Sequence, residues 1–528
     1  MYEPPHSAGF PAPGPSARPW RKGFVRTYAP ALWLGCLLVL IAGPAPARPW
    51  IEPDDARMRH SLQWLADRGC LRAPVTTWPM MWADVSAMLR DDSVSPECRR
   101  SQAWRYVRFE HDFQTRQGYR LRVHASGASH EPLFRDFSGG PREEAGAGAR
   151  LEWLADGLAV GLATEYVHDP RDEDSVRRDG SYIAGALGNW MLGVGALDRW
   201  WGPGWHSSDI FSDNARPVPA VWLNRRSSRP LDWPVARWLG PWSLTILAGQ
   251  LESERAVADA KLLGARFNFR PVPSLEVGMS RVAHWGGEDR PETLRSLRKC
   301  AIGDSNDPVD GEDGPGACSQ LAGFDLRWSL PAEQVTPAVY AQAIGEDEAG
   351  MLPSKYMALA GFELATATGA GEQRWFVEYT DNIAGTWPSE QRPNVAFENS
   401  GYQTGHRFRG RNLASTFESD ARVVSLGHST FLSDGRELGI ILTHAALNRD
   451  GTLPTSRREE GGAPVLDPAD LQRRNIAFIR YRQPYSWGRV SLAGWFMDRE
   501  VESRIDEKES RTWPRATIMA TWEYRLEL

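Results

Sequence analysis

The sequence predicts an all-β outer-membrane β-barrel of about 18 antiparallel strands, preceded by a small N-terminal α-helical domain. Three observations predict this fold. From about Tyr119 onward, apolar and polar residues alternate with a period of two. Short and long polar connections broadly alternate between the candidate strands. No apolar run after the first 50 residues is long enough for a membrane-spanning helix, so any spanning segment must be a strand.

The chain divides into three parts. We expect a signal peptide at 1–47, the periplasmic helical domain at 48–118, and the transmembrane barrel with long extracellular loops at 119–528. In the leader, basic residues precede a short apolar core and the small-x-small site Ala45-Pro46-Ala47. The apolar core is too short to span a bilayer, which favours export and cleavage over a membrane anchor. We therefore expect the protein in the outer membrane of a Gram-negative cell.

Apolar stripes with helical spacing indicate helices between residue 50 and about residue 112. Asp54 or Asp55 can cap the first helix, and Gly69 is suited to end it. Ser95 can cap another helix, because a proline follows it at the first helical position. These residues predict the small helical domain.

Cleavage of the leader leaves four cysteines, and an even number in an exported chain suggests disulfides. Of three formal pairings, Cys70–Cys98 and Cys300–Cys318 require the least ordering of the chain. Closing the second loop is worth roughly 3 kcal/mol in the chain-entropy model. Free buried thiols are the alternative. No Cys-x-x-Cys or matching histidine spacing is present, so no metal or other cofactor is expected.

The clearest strand is at the end of the chain. Its alternation resembles the C-terminal assembly signal of outer-membrane barrels, although those usually end in Phe rather than Leu528. A soluble sandwich also alternates, with its polar face outside. Long polar connections such as 284–320 and 380–420 favour the barrel, and some 410 residues suit 16 to 18 strands of ~10 residues each. The tryptophans expected near interfacial girdles are Trp328, Trp375, Trp495 and Trp522.

The charge composition limits the partners. A formal net charge of -6 argues against nucleic-acid binding, whereas a barrel must contact outer-membrane lipid and the barrel-assembly machinery.

Arginine greatly outnumbers lysine, and a lumen lined by arginines and carboxylates would form planar paired networks. Base composition of the genome could produce the same bias.

Barrel construction does not explain the segment between residues 198 and 225. Aromatic faces stack on sugars, planar polar groups bind hydroxyls, and arginine binds carboxylates. The turn at Gly202-Pro203-Gly204 could present indoles to a glycan, or it could brace the lumen. The candidate polysaccharide-binding residues are Trp200, Trp201, Trp205, His206, Asp209, Asn214, Arg216, Asn224 and Arg225.

Several segments, taken in order, resemble the Wzi family of outer-membrane capsule-assembly proteins. They include DRWWGPGWHSSD (198–209), SDNARP (212–217), LGPWS (239–243) and RWFVEYTDN (374–382). The resemblance covers most of the mature chain, with the acidic 301–316 loop among its departures. It implies an 18-stranded barrel with a periplasmic helical domain. It also implies a lectin that ties capsular polysaccharide to the cell surface, with capsule-export components as further partners.

Signals for an enzyme are poor, so no catalytic residues are assigned. The motifs His-Glu-x-x-His and Gly-x-Ser-x-Gly are missing, as is a phosphate-cradling loop. The alternative function is a porin-like channel for small saccharides. A substitution of Trp205 distinguishes a sugar-binding role of the candidate segment from a structural one. If its indole contacts sugar, Trp205→Ala weakens polysaccharide retention with the protein still in the membrane; if it is structural, the protein is lost from the membrane.

Overall fold

Eighteen long antiparallel strands close into a barrel, in which the last strand pairs with the first. The computed structural model describes residues 49–234, 236–303, 316, 318–332, 335–349, 352–386, 390–452, 464–504 and 510–528. The predicted signal peptide and most of the acidic 301–316 loop lie outside the described residues. The predicted fold class is confirmed. The strands are β1 (Gly118–Ala128), β2 (Ala145–Ala155), β3 (Leu158–His168), β4 (Tyr182–Leu187), β5 (Trp190–Ala196), β6 (Pro219–Arg225), β7 (Trp242–Gln250), β8 (Lys261–Val272), β9 (Leu275–Trp285), β10 (Cys318–Ser329), β11 (Val335–Ala349), β12 (Leu352–Ala367), β13 (Gly371–Thr386), β14 (Arg422–Leu432), β15 (Glu437–Leu447), β16 (Gln472–Tyr485), β17 (Gly488–Met497) and β18 (Ala516–Glu527).

The alternation of the sequence places apolar side chains on the outside and charged side chains in the lumen. In β18, Ile518 is 59% exposed whereas its neighbour Met519 is 5% exposed. In β13, Trp375 and Val377 are exposed on the outer face, while Arg374, which precedes Trp375, is buried on the lumen face. An apolar exterior with a polar interior is the reverse of a soluble sandwich and is the arrangement of a membrane barrel.

One predicted girdle tryptophan was assigned to the wrong face. Trp328 is exposed as expected, but Trp495 is buried in the lumen against Phe478, with ring centroids 4.3 Å apart. Its neighbour Phe496 points outward instead. The error is one of parity, because a shift of one residue moves a side chain to the other face of a strand.

Short turns gather at one end of the barrel and most long connections at the other. We call these the short-turn end, with turns such as 156–157 and 433–436, and the long-loop end, with connections such as 129–144 and 197–218. In the described ranges the helices are α1 (Ala56–Asp67), α2 (Trp82–Arg90), α3 (Pro96–Arg100), α4 (Gln102–Gln114) and α5 (Leu294–Ile302). None of these helices is long and apolar enough to cross a membrane.

The N-terminal helices contact the barrel from its short-turn end. Asp55 caps α1 by accepting from the backbone N–H of Met58, and every residue of α1 is buried. The guanidinium of Arg57 donates to the carbonyl of Leu432, beside a short turn (3.0 Å). Asp67 pairs with Arg327 of β10 (2.5 Å). These contacts join the helices to the charged lumen, while the bounds of the predicted domain stay a prediction.

Both predicted disulfides are present. Cys70 bonds to Cys98 with the Cα atoms 6.2 Å apart, and Cys300 bonds to Cys318 at 5.6 Å. The first joins the region after α1 to α3, and the second joins α5 to the start of β10. The pairing of nearest neighbours is therefore confirmed.

Candidate functional site

The connection 197–218, which we call the lumen loop, folds into the barrel instead of projecting from it. Ser208, Asp209 and Ile210 are fully buried. The backbone N–H of Ser212 donates to the carbonyl of Leu413 (2.8 Å), which belongs to the long connection after β13. The lumen loop and that connection therefore pack on each other within the lumen.

The start of the lumen loop is tied to the N-terminal region by backbone pairing. Trp200 and Trp201 pair antiparallel with Trp78 and Thr77, and both indoles are buried. Gly202 has a φ of 130°, and its N–H donates to the carbonyl of Thr76 (3.0 Å). Glycine is needed there because of this φ, which L side chains rarely adopt.

Trp205 lies deep in the lumen. Its indole N–H donates to Glu363 of β12 (2.5 Å), and its ring stacks on Phe376 of β13 with centroids 6.2 Å apart. The guanidinium of Arg59, on α1, lies 4.2 Å from the ring centre. The indole is 4% exposed. Trp205 therefore joins α1, the lumen loop and the barrel wall.

A single carboxylate holds the middle of the lumen loop. Glu378 of β13 accepts hydrogen bonds from the successive backbone N–H groups of Trp205 (2.6 Å), His206 (3.1 Å) and Ser207 (2.8 Å). It also accepts from the hydroxyl of Tyr340 (2.9 Å). The carboxylate thus satisfies three buried donors of a non-regular backbone segment, which would otherwise be costly to bury.

His206 and Asp209 are buried in uncharged forms. The Nδ1 of His206 is 2.7 Å from the hydroxyl of Ser425, and burial lowers the pKa of the imidazole to about 4. Burial raises the pKa of Asp209 well above its usual value, and the negative charge of Glu378 raises it further. Among the described residues, neither carboxyl oxygen of Asp209 has a hydrogen-bond partner.

The burial of Asp209 predicts a pH-dependent stability difference. A raised folded pKa means that the ionisation of Asp209 costs no stability below the unfolded pKa of about 4, and that stability falls as pH rises toward the folded pKa. We expect Asp209→Asn to remove this loss. The stability of wild type minus that of the variant should fall as pH rises above about 4, by at most about 1.4 kcal/mol per pH unit, until the folded pKa is reached.

Thermal unfolding of the two purified proteins, followed by tryptophan fluorescence, measures this difference at each pH. The subtraction removes the titration of all other groups. A difference that is flat across the range would contradict a buried, protonated Asp209.

The remaining candidates do not join one site. The amide of Asn214 donates to the carbonyl of Asn412 (2.9 Å), within the packed loops. Arg216 pairs with Asp172 (2.5 Å) and two other carboxylates at the long-loop end. Asn224 and Arg225 lie at the other end of β6, toward the short turns.

Arg225 illustrates why closeness in sequence misled the prediction. Its guanidinium donates to the carbonyl of Trp242 (2.7 Å) and lies 3.6 Å from the centre of that ring. The strand β6 crosses the barrel wall between Arg216 and Arg225, so the two arginines are at opposite ends. All nine candidate residues are buried.

Sequence reasoning missed a charged cavity in the lumen. It has a volume of about 310 Å³ and is lined by residues of β1 to β3 and β16 to β18 and by the loop after β1. Two of its arginines pair with carboxylates: Arg150 with Glu52 (2.7 Å), and Arg489 with Glu523 (3.3 Å). The alternation of Arg480 with apolar neighbours was the available signal, but nothing in the sequence showed which strands would meet.

Paired arginine networks line the lumen. Arg266 of β8 binds Asp325 of β10 through both terminal nitrogens (2.6 and 3.0 Å), and Arg327 binds Asp67 in the same way. Such bidentate pairs satisfy buried charges with defined geometry. Among the described residues, no three metal-binding side chains are grouped as a metal site would require.

Comparisons with known proteins agree with this architecture. A protein of Klebsiella pneumoniae, described as an uncharacterized 55.8 kDa protein in the cps region, is 32% identical over 369 residues, 66% of this chain and 68% of the relative. The solved structure of Wzi from Escherichia coli is described as a carbohydrate-binding β-barrel, an outer-membrane protein involved in group 1 capsule assembly. It aligns with a TM-score of 0.74 and 24% identity, over 92% of this chain and all of the other, which establishes the shared fold.

The sequence also matches a protein-family model over most of its length. That family is described as capsule assembly protein Wzi, and the match covers residues 114–504. The matched region runs from the end of α4 through β17 and so includes the lumen loop and nearly the whole barrel. The chain therefore belongs to the Wzi family of capsule assembly proteins.

Proposed function

We propose that this protein is a non-enzymatic outer-membrane lectin, which binds capsular or related polysaccharide and attaches it to the cell surface during capsule assembly. The observation that carries the proposal is a barrel of a capsule-assembly family whose lumen is filled by its own chain. Outer-membrane barrels have short turns on the periplasmic side and longer loops outside the cell. The long-loop end would accordingly face the outside of the cell, and the helices α1 to α4 would face the periplasm.

The filled lumen favours a lectin over the alternative, a porin-like channel for small saccharides. A porin keeps a water-filled passage through the barrel. Here the buried helix α1 occupies the short-turn end, and the lumen loop packs on the connection after β13. The cavity of about 310 Å³ is bounded by paired charges and by the loop after β1.

The remaining predicted partners follow from this placement. The exposed apolar side chains of the strands, such as Leu162 and Leu442, would contact outer-membrane lipid. Insertion would use the barrel-assembly machinery, with β18 as its signal. Capsule-export components would meet the helices on the periplasmic side. These three partners are proposed together with the lectin function.

Deleting the gene tests the proposal directly. We expect polysaccharide to move from the cell-bound to the released fraction while the total stays constant, because attachment is lost and synthesis is not. The measurement is the ratio of the two fractions with and without the gene, with complementation as the control. Unchanged fractions in both strains would contradict the lectin function.

Conductance of the purified protein in a planar bilayer tests the alternative. A filled lumen is expected to give little or no steady current, whereas a porin would give large steady steps. An outer-membrane glycosidase would instead release reducing ends from the polysaccharide. Large steady conductance together with unchanged polysaccharide fractions would replace the lectin by the porin.

A further inference from the structure

A crevice at the long-loop end has more arginines than carboxylates. Three carboxylates line it, from Glu131, Glu143 and Asp172. Five arginines line it, and they come from four different connections of the barrel: Arg142, Arg171, Arg216, Arg409 and Arg411.

Three of the five arginines already pair closely with carboxylates. Arg142 donates to Asp198 (2.6 Å), and Arg411 donates to Glu131 (3.0 Å). Arg216 has salt bridges to three carboxylates, the longest being 3.0 Å. These guanidinium groups belong to the structure of the loops and have little capacity for an external ligand.

Among the described residues, the other two arginines, Arg171 and Arg409, make only long ion pairs, each with a carboxylate that a closer arginine also contacts. The Nη1 atom of Arg171 lies 4.0 Å from Glu131, which already accepts from Arg411 and from Arg511 (2.6 Å). The Nη1 atom of Arg409 lies 3.9 Å from Asp172. That carboxylate is closer to Arg216, at 2.5 Å.

The two side chains are also accessible. Arg171 is 21% exposed and Arg409 is 27% exposed, while the carboxylates nearest to them are 5% and 9% exposed. Among the described residues, neither guanidinium donates a hydrogen bond, and the Nη1 atom of Arg171 is shielded from solvent without a partner. An anion at the mouth of the crevice would therefore meet the exposed N–H groups of both guanidiniums, not the shielded Nη1 atom.

We propose that Arg171 and Arg409 bind carboxylate groups of an acidic polysaccharide, such as uronate or pyruvate-ketal groups. The inference rests on the proposed function and extends it by naming the class of sugar and the place of binding. A guanidinium fork matches a carboxylate in a bidentate geometry. The crevice belongs to the mouth of the lumen, and it shares Arg142 and Glu143 with the charged cavity, so a bound sugar would adjoin polar space.

The test uses polysaccharide purified from the cells that encode this chain. One portion is used as isolated, and in a second portion the carboxyl groups are chemically reduced to alcohols. Binding of both to the full-length protein in detergent is measured for wild type and for the double variant Arg171→Gln/Arg409→Gln. The matched control is Arg295→Gln/Arg298→Gln, which removes two exposed arginines from α5 at the same end of the barrel.

We expect wild type and the control to bind the native polysaccharide at least about tenfold more tightly than the reduced form. The double variant should bind both forms alike, at the affinity of wild type for the reduced form. The preference should weaken with added salt.

Three results would overturn the inference in different ways. Equal binding of both forms by wild type would reject the acidic ligand and leave the lectin function standing. A double variant that keeps the preference would reject the location. Failure of wild type to bind either form would reject the proposed function itself.

Discussion

Glu378→Ala is expected to release the lumen loop from the barrel wall. The substitution leaves three buried backbone N–H groups and the hydroxyl of Tyr340 without their acceptor. Each unsatisfied buried donor costs about 1–3 kcal/mol. Even with partial relaxation, the packed position of the loop should lose at least about 3 kcal/mol, which is enough to populate an open form.

Limited digestion with chymotrypsin measures this release. The lumen loop carries aromatic cleavage sites at Trp200, Trp201, Trp205 and Phe211, all of which are buried. Wild type should resist cleavage there, and the variant should be cut. Neither disulfide crosses the cut, because Cys70–Cys98 lies before the loop and Cys300–Cys318 after it. The two fragments therefore separate on a denaturing gel without reductant.

Glu437→Ala is the matched control. Glu437 is also a buried, lumen-facing glutamate of a barrel strand, and it receives a hydrogen bond from Arg482 (3.4 Å). Its loss should leave the lumen loop protected. Equal cleavage of both variants would mean that any lost carboxylate loosens the barrel. Full protection of Glu378→Ala would mean that packing alone holds the loop.

The periodicity of the sequence was sufficient to predict the barrel. In β18 the alternation from Thr517 to Glu527 gives the lipid-facing and lumen-facing residues directly, because a strand has only two faces. The cysteine spacing predicted both disulfides for a similar reason, since each pair closes a short loop. These features depend on local order along the chain.

The interior of the lumen could not be predicted in the same way. Trp205 meets Arg59 of α1 and Glu363 of β12, and these contacts depend on which strands face each other across the barrel. Arg171 and Arg409 line one crevice although they lie in connections far apart in the sequence. Side-chain contacts across the lumen are set by tertiary structure, and the alternation of residues along a strand does not predict them.

The prediction for Trp205 changes once its surroundings are known. An indole that is 4% exposed and hydrogen-bonded to Glu363 is not available to stack on a sugar. We expect Trp205→Ala to lower the free energy of unfolding by about 3–5 kcal/mol, the usual cost of removing a large aromatic side chain from a core. The amount of folded protein in the membrane should fall accordingly.

Trp205→Phe separates packing from hydrogen bonding. It keeps an aromatic ring against Phe376 and beneath Arg59 but cannot donate to Glu363, whose other partners are Arg327 and Arg374. Since a hydrogen bond to a charged group contributes about 1.5–3 kcal/mol, the Phe variant should be destabilised less than the Ala variant. Thermal unfolding of both purified proteins measures the order.

Polysaccharide retention must then be divided by the amount of folded protein, which is measured from the gel band of the unheated barrel. If Trp205 is structural, this ratio is unchanged in both variants, and total retention falls only as folded protein is lost. A ratio that falls in Trp205→Ala at normal amounts of folded protein would instead show that the indole takes part in sugar binding. Because the ring lies between α1 and β13, such a result would require the lumen loop to open when polysaccharide binds.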